Sequence, residues 1–115
     1  MKNKNVIQEK SFIFALSIIC LYQKLIGDKE FIISKQLLKS GTSIGANIEE
    51  ATAGQTKKDF IAKMAIASKE ARETRYWLKL LKESDLTKID VSAEQNAIEE
   101  IIRILTSIVK TAQTK

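Results

Sequence analysis

The sequence predicts an all-α protein with the architecture of an antiparallel, up-down-up-down four-helix bundle. The 115 residues include no proline, only 4 glycines and only 6% aromatic residues, whereas β-sandwiches and barrels need frequent turns rich in Gly and Pro. Apolar residues recur at alternating steps of three and four along four segments, which is typical of helices that bury one side. Since the breaks between the segments are short, consecutive helices should run antiparallel.

The first two helices are predicted over residues 6–26 and 35–53. Gly27, followed by Asp28, provides a stop for the first helix, because glycine readily adopts the backbone conformation that ends helices. Ser34 is a residue type whose side chain caps the free amides at a helix start. It is therefore expected to begin the second helix.

The last two helices are predicted over residues 57–83 and 93–111, and each is preceded by a capping residue. Thr56 can accept a hydrogen bond from the amide of Asp59 at the start of the third helix. Ser92 stands three residues before a glutamine, which is the spacing of a capping box at the start of the fourth.

The apolar residues that recur along each helix are expected to meet in one core, so that residues 1–115 form a single domain. These seam residues are Phe14, Ile18, Leu21 and Leu25 in the first helix; Leu37, Gly41, Ile44, Ile48 and Ala51 in the second; Phe60, Met64, Ala67, Ala71, Thr74, Leu78 and Leu81 in the third; and Ala97, Ile101, Ile104 and Ile108 in the fourth.

The composition argues against an enzyme or a metalloprotein. Histidine is absent, which removes the usual general base and the commonest metal ligand. The glutamates of the central helices therefore lack the histidines that complete metal sites in helical bundles. The single cysteine, Cys20, lies in an apolar run and is expected to be a small buried hydrophobic residue. No catalytic residue, metal ligand or cofactor is predicted, and a chain without a disulfide fits the reducing cytoplasm.

An apolar stretch near the N-terminus imitates a secretory signal without satisfying its pattern. The stretch runs from Phe12 to Leu21, about ten residues, against the ~20 that cross a bilayer. Glu9 interrupts the basic residues before it, and no small-x-small cleavage site follows. A helix of the bundle is the better interpretation, and no association with a membrane is expected.

Three helices carry more apolar residues than one small bundle can bury. The surplus residues predicted to form an oligomer interface are Phe12, Leu16 and Ile19 of the first helix and Ile66, Tyr76, Trp77 and Leu80 of the third. Ile98, Ile102 and Leu105 add a second apolar stripe to the fourth helix. Because large exposed apolar patches usually mark interfaces, we expect a homo-oligomer. The alternative is a wide core stripe with scattered apolar residues on the surface.

Small and polar residues interrupt the second helix. Gly41 and Gly45 inside a helix cost roughly 2 kcal/mol together relative to alanine. Close packing of another helix against them would offset that cost, and Ser43 and Asn47 would hydrogen-bond across the contact. A phosphate-binding loop is the alternative, but the segment lacks a Gly-Lys-Ser or Gly-Lys-Thr motif and no strand precedes it.

Positive charge is concentrated on the third helix, because residues 57–83 hold eight basic and four acidic residues in a chain of net charge +5. The candidate nucleic-acid-binding residues are Arg72, Arg75, Lys79, Lys82 and Lys58. The first four follow steps of three, four and three, so they share one side of the helix. Such a stripe suits contacts with phosphates. The alternative is that neighbouring glutamates pair with these cations and that the side is simply solvated.

Two stretches of the central helices resemble a known protein family. Ser43–Glu50 reads S-I-x-x-N-I-x-E, and Lys69–Leu78 reads K-E-A-x-E-T-x-Y-W-L. These motifs are similar to the signature of the four-helix-bundle family named for the 23S rRNA intervening sequence. Many relatives have proline where this chain has Gly45.

The resemblance implies a small bacterial up-down bundle that assembles as a homopentamer. It also implies a distant similarity to the accessory protein of diversity-generating retroelements, which works with a reverse transcriptase and nucleic acid. The family has no established biochemical activity, so no catalytic residue carries over. Its recurrent polar residues imply a network between helices, with Trp77 in a packing role. Those polar residues are Asn47, Glu50, Glu70 and Glu73.

Two classes of function follow from the residues and the resemblance. The first is a non-enzymatic, cytoplasmic homo-oligomer that binds structured RNA or another nucleic acid through the third helix. The second is an interaction scaffold that binds a protein partner such as a polymerase, with the cations engaged only in ion pairs. An exposed, continuous groove of cations would favour the first class. Neutralisation of each cation by a carboxylate would favour the second.

Overall fold

Four helices form the fold in the computed structural model, which describes the backbone of residues 2–114 and the side chains of residues 6–114. Helix α1 covers Lys2–Gly27, α2 covers Ile33–Thr52, α3 covers Lys57–Glu83 and α4 covers Ser92–Gln113. Each helix packs against its neighbours in the chain and α1 also packs against α4, while neither diagonal pair is in contact within the described residues. The predicted antiparallel four-helix bundle is confirmed.

The seams predicted for α1, α2 and α3 form the core. Every seam residue of α1 and α2 is buried, as are those of α3 from Met64 to Leu81, and Phe60 packs against them half-buried. The bundle that encloses this core measures 46 × 20 × 20 Å.

The seam predicted for α4 is too narrow. Ile98, Ile102 and Leu105 are buried in the core, whereas Ile104 and Ala97 are only half-buried. Ile98, Ile101, Leu105 and Ile108 follow steps of three, four and three, so they share the side of α4 that faces the core. Ile98, Ile102 and Leu105 therefore contribute to folding and are not part of a surplus that an interface would have to cover.

Helix α1 ends through a left-handed residue that is not a glycine. Lys29 has a φ of 65°, and its amide donates to the carbonyl of Ile26 at 3.0 Å. The next amide, that of Glu30, donates to the carbonyl of Leu25 at 2.9 Å. This pair of bonds is a Schellman motif. The prediction that the helix stops at Gly27, followed by Asp28, is correct, since Gly27 is its last residue. The expectation that the glycine adopts the conformation that ends the helix is wrong, because Lys29 adopts it.

A buried carboxylate caps α2, and the prediction that Ser34 begins this helix as its cap is wrong. Glu30 is only 5% exposed. Its side chain accepts hydrogen bonds from the amides of Ile32 at 3.1 Å, Ile33 at 3.0 Å and Ser34 at 2.5 Å. The hydroxyl of Ser34 donates back to the carbonyl of Glu30 at 2.6 Å. A negative charge at the positive end of the helix thus satisfies three amides that the helix itself leaves free.

The starts of α3 and α4 differ in how well the sequence predicts them. The hydroxyl of Thr56 accepts from the amide of Asp59 at 3.0 Å, as predicted. At α4, Ser92 is the first helical residue rather than the cap, and its amide donates to Asp90 at 2.9 Å. That backbone hydrogen bond, followed by one from the Ser92 side chain, holds the pKa of Asp90 below its ordinary value.

The two glycines inside α2 sit where α1 comes closest, as expected for close helix packing. A Cβ added at Gly41 would lie 3.0 Å from both Cγ atoms of Ile18, a fully buried residue of α1. A Cβ at Gly45 would meet only Ser11, at 3.5 Å from its hydroxyl and 3.6 Å from its backbone oxygen. The backbone approach at Gly45 therefore has room for a methyl group, whereas the contact at Gly41 does not.

These contacts predict opposite effects of the two alanine substitutions. Gly41→Ala should lower the free energy of unfolding by about 1–3 kcal/mol, because the added methyl group forces a β-branched core side chain to move. Gly45→Ala should leave it unchanged or raise it by up to about 1 kcal/mol through higher helix propensity. Urea unfolding followed by far-UV circular dichroism measures both. Equal effects would contradict the packing described for Gly41.

The left-handed conformation of Lys29 predicts a stabilising substitution. Lys29→Gly should raise the free energy of unfolding by about 1 kcal/mol, because glycine avoids the clash that a Cβ makes at positive φ. Lys29→Ala keeps the Cβ and should change stability by less than about 0.5 kcal/mol, so it controls for loss of the lysine side chain. Thermal and urea unfolding of the three proteins compare the effects. A Gly variant no more stable than the Ala variant would be the contrary result.

Candidate nucleic-acid interface

A groove between α3 and α4 collects most of the predicted basic stripe. It has a volume of about 580 Å³ and is lined by Arg72, Arg75, Tyr76 and Lys79 of α3 and by Gln95 and Glu99 of α4. Positions separated by three and four residues lie on one side of a helix, and here that side borders α4. We call this surface the basic groove.

The cations of the basic groove are only partly neutralised. Arg75 pairs with Glu99, with 3.2 Å between the guanidinium and the carboxylate, and both side chains are close to half exposed. An exposed pair of this kind contributes no more than about 1 kcal/mol to stability. Within the described part of the chain, Arg72 and Lys79 make no ion pair or side-chain hydrogen bond. The groove therefore keeps a surplus of positive charge that faces solvent.

The loop between α3 and α4 extends this surface past Lys82. A second cavity of about 300 Å³ contains Lys82, Lys88 and Asp90, and it shares Gln95 with the basic groove. Asp90 owes its lowered pKa mainly to the hydrogen bond from the Ser92 amide, and the charge of Lys82 adds to the effect. Lys82 is thus adjacent to the groove but lies beside carboxylates that offset its charge.

Lys58 lies apart from the other four cations. It is exposed near the start of α3, 14 residues before Arg72, which corresponds to about 21 Å along the helix axis. The structure therefore brings Arg72, Arg75 and Lys79 together, places Lys82 at one end of the groove, and leaves Lys58 outside it.

The apolar residues outside the seams are divided between opposite corners of the bundle. On α1, Phe12 is 63% exposed, Leu16 49% and Ile19 40%. On α3, Ile66 is exposed while Trp77 and Leu80 are half-buried. Since α1 and α3 lie diagonally across the bundle, the described residues predicted for the oligomer interface lie on two separate surfaces.

Cys20 and Tyr76 are both exposed. Cys20 is exposed on the outer side of α1, so the expectation that it is buried is wrong. Its neighbours Leu21 and Ile18 occupy the buried positions of that turn, and helical geometry then turns Cys20 outward. Tyr76 lines the basic groove rather than joining Ile66.

A smaller groove of about 310 Å³ lies between α1 and α4. Lys10 and Glu100 pair across it at 3.2 Å. Glu94 also lines it, and one of its carboxylate oxygens is buried without a hydrogen-bond partner among the described atoms. No group of three or more potential metal-ligating side chains comes together anywhere in the described residues.

Comparison with known proteins identifies the family. Residues 3–107 match the family described as 23S rRNA-intervening sequence protein. This chain belongs to that family. It is also similar to a crystal structure of a protein of unknown function from the S23 ribosomal protein family of Bacteroides thetaiotaomicron VPI-5482. The identity is 47% over 94% of this chain and 98% of the other, with a TM-score of 0.87. No match is found among curated proteins.

The family resemblance drawn from the two motifs is thus confirmed, while neither the family nor the Bacteroides relative has a known function. In the first motif, the Asn47 side chain donates to the carbonyl of Ser43 at 2.8 Å, within the same helix. Glu50 does reach another helix, through an ion pair with Lys63 of α3 at 2.8 Å.

The glutamates of the second motif do not extend this contact between helices. Glu73 accepts a hydrogen bond from the indole of Trp77 at 3.3 Å, one turn away on α3. The carbonyl of Glu70 accepts from the hydroxyl of Thr74 at 2.8 Å, and no described group bonds to its carboxylate. The polar residues that the family resemblance singles out therefore act mostly within their own helices.

A buried polar contact between α2 and α3 joins Thr74, which is part of the second motif, to Ser40, which lies outside both motifs. The hydroxyls of Thr74 and Ser40 are hydrogen-bonded to each other at 2.9 Å, and both residues are fully buried. Thr74 interrupts the otherwise apolar seam of α3, which is a signal that a buried partner must satisfy it. Ser40 stands one position before Gly41, in the closely packed part of α2, and this position could have identified it as a buried partner for Thr74.

Helix α1 of this family member also meets a test for membrane-crossing helices. Val6–Gly27 contains an 18-residue window with a mean hydropathy of 1.4, long and apolar enough by composition alone. The core helix of a bundle passes the same test; Phe14, Ile18 and Leu25 are buried against the other helices, and 28% of the window is buried. The expectation that no membrane is involved stays a prediction.

Proposed function

We propose that this protein is a non-enzymatic, cytoplasmic scaffold that assembles with copies of itself and binds RNA or another nucleic acid through the basic groove. The observation that carries the proposal is the surplus charge of Arg72 and Lys79, which face solvent without a carboxylate partner among the described residues. Lysine and arginine that line a groove on one side of a helix suit the regularly spaced phosphates of a nucleic-acid backbone.

Binding by so few cations should be weak for one subunit and strongly dependent on salt. Each neutralised phosphate releases condensed counterions, so affinity falls as the salt concentration rises. Assembly compensates for this weakness, since linked copies of one groove bind a long ligand with higher avidity than a single groove. The homopentamer that the family resemblance implies would present five such grooves.

Assembly is proposed to use the apolar surfaces on α1 and α3. Phe12, Leu16 and Ile19 are exposed apolar residues that follow one side of α1 at steps of four and three. Such a contiguous patch is favourable only when a partner covers it. Because the patch on α3 lies at the opposite corner, a head-to-tail contact between different surfaces suits this arrangement and can close into a ring.

A protein partner is the second candidate, and the Arg75–Glu99 ion pair is the observation that favours it. An arginine already engaged by a carboxylate is less available for phosphate. In this alternative the cations serve ion pairs and a partner such as a polymerase binds the apolar surfaces. The two candidates differ in how they respond to removal of the unpaired cations.

Removal of Arg72 and Lys79 tests the nucleic-acid proposal. The double variant Arg72→Ala, Lys79→Ala should raise the Kd for a fluorescein-labelled RNA hairpin at least about fivefold. It should also reduce the slope of log Kd against log salt concentration by about 1.5, because two phosphate contacts are lost. Fluorescence anisotropy between about 50 and 200 mM salt measures both quantities.

The matched control is Lys35→Ala, Lys39→Ala, which removes the same charge from exposed positions of α2 outside the groove. It should change the Kd by less than about twofold, since distant exposed charges are screened. If the two double variants behave alike, or if the unaltered protein does not bind the hairpin, the nucleic-acid function is contradicted and the protein-partner scaffold gains support.

Charge placed on α1 tests the proposed assembly. Light scattering of the unaltered protein at micromolar concentration should give a multiple of the 12.9 kDa chain mass. The double variant Phe12→Glu, Leu16→Glu should give the mass of a single chain, because burying two carboxylates in an apolar contact is highly unfavourable. Circular dichroism should show unchanged helix content, since both positions are exposed in the isolated bundle.

Leu86→Glu is the control for this experiment. Leu86 is also an exposed apolar residue, at 55%, but it lies in the loop between α3 and α4. Its replacement should leave the oligomer intact. An unaltered protein with the mass of one chain would contradict the assembly proposal, as would dissociation by the Leu86 variant alone.

A further inference from the structure

We infer that Tyr76 is a base-stacking residue and that the basic groove takes unpaired nucleotides rather than a duplex. The inference rests on the proposed nucleic-acid function and goes beyond it, because it names the class of ligand and the residue that selects it.

Tyr76 is the aromatic residue that lines the basic groove. Its side chain is 54% exposed, and Arg72, Arg75 and Lys79 line the same cavity. Proteins that bind single strands combine a positively charged groove, which follows the backbone, with aromatic side chains on which bases stack. Both components are present here on one side of α3. By sequence pattern Tyr76 belongs with the apolar surplus, but its position in the groove assigns it to the charged surface.

The ring of Trp77 packs against the ring of Tyr76. The two ring centroids are 5.2 Å apart and the ring planes meet at 64°, an edge-to-face contact. Trp77 is itself half-buried against the core, and its indole N–H donates to Glu73 at 3.3 Å. A tyrosine supported in this way loses little freedom when a base stacks on it, so its contribution to binding is not offset by an entropic cost.

The dimensions of the groove agree with a short single strand. Arg72 to Lys79 spans about 10 Å of helix axis at 1.5 Å per residue, which is the length of roughly three stacked nucleotides at 3.4 Å each. In a duplex the bases are already stacked and paired, and the deep major groove of an RNA helix does not admit side chains. A duplex could therefore contact the cations but not the Tyr76 ring.

The experiment compares two labelled probes with the full chain, a 12-nucleotide oligouridylate and a blunt 12-base-pair RNA duplex. Tyr76→Leu should raise the Kd for oligouridylate at least about fivefold, the lower part of the range for loss of one stacked base. The Kd for the duplex should change by less than about twofold. Tyr76→Phe keeps the aromatic face and should bind both probes like the unaltered protein.

A second measurement needs no variant. Trp77 is the single tryptophan of the chain, and its contact with Tyr76 makes its emission a reporter of that site. Saturating oligouridylate should change the emission, while saturating duplex should not.

The possible results distinguish failure of this inference from failure of the proposed function on which it rests. If Tyr76→Leu weakens neither probe or both equally, or if Trp77 emission responds alike to both, stacking by Tyr76 is overturned. The proposed function would still stand in that case, provided that the Arg72 and Lys79 variant binds RNA more weakly than its control. If the unaltered protein binds neither probe nor the hairpin, both the inference and the proposed function fail.

Discussion

Burial of one apolar seam per helix is the constraint on which the rest of this structure depends. Each fully buried leucine or isoleucine contributes about 1.5–3 kcal/mol, whereas each exposed ion pair between helices contributes no more than about 1 kcal/mol. Side chains on a helix are fixed relative to one another, so directing Ala71 and Leu78 into the core also directs the residues that follow them. Those residues are Arg72 and Lys79. The position of the basic groove is thus a direct consequence of core packing.

The same constraint gives α3 two different flanks. Its border with α4 carries the cations and Tyr76, whereas Ile66 is exposed on another side of the helix. Trp77 follows Tyr76 in the chain but sits half-buried against the core, and the two rings meet edge to face. Because the cations and Ile66 lie on different sides of one helix, the proposed assembly surface does not overlap the basic groove.

The helix ends show where local sequence rules succeed and where they fail. Thr56 caps α3 as its residue type predicts, because it lies directly outside the first helical turn. Ser34 and Ser92 are equally good capping residues, yet each lies inside its helix, and the carboxylates of Glu30 and Asp90 bind the free amides instead. An anionic oxygen binds an amide more strongly than a hydroxyl does and interacts favourably with the helix dipole. Which residue caps a helix is decided by where the preceding turn ends.

The sequence by itself determined the four helices, their antiparallel order, most of the core and the family, because these follow from periodicity, composition and two local motifs. It also determined that Arg72, Arg75 and Lys79 share one side of a helix. Only the tertiary structure decided which neighbour borders that side, that Glu99 engages Arg75 alone, and that Tyr76 lies among the cations. The buried Ser40–Thr74 contact and the burial of Ile98, Ile102 and Leu105 were likewise decided by packing. Helical periodicity fixes directions around one axis, whereas the rotation of each helix against its neighbours is set by contacts between residues far apart in the chain.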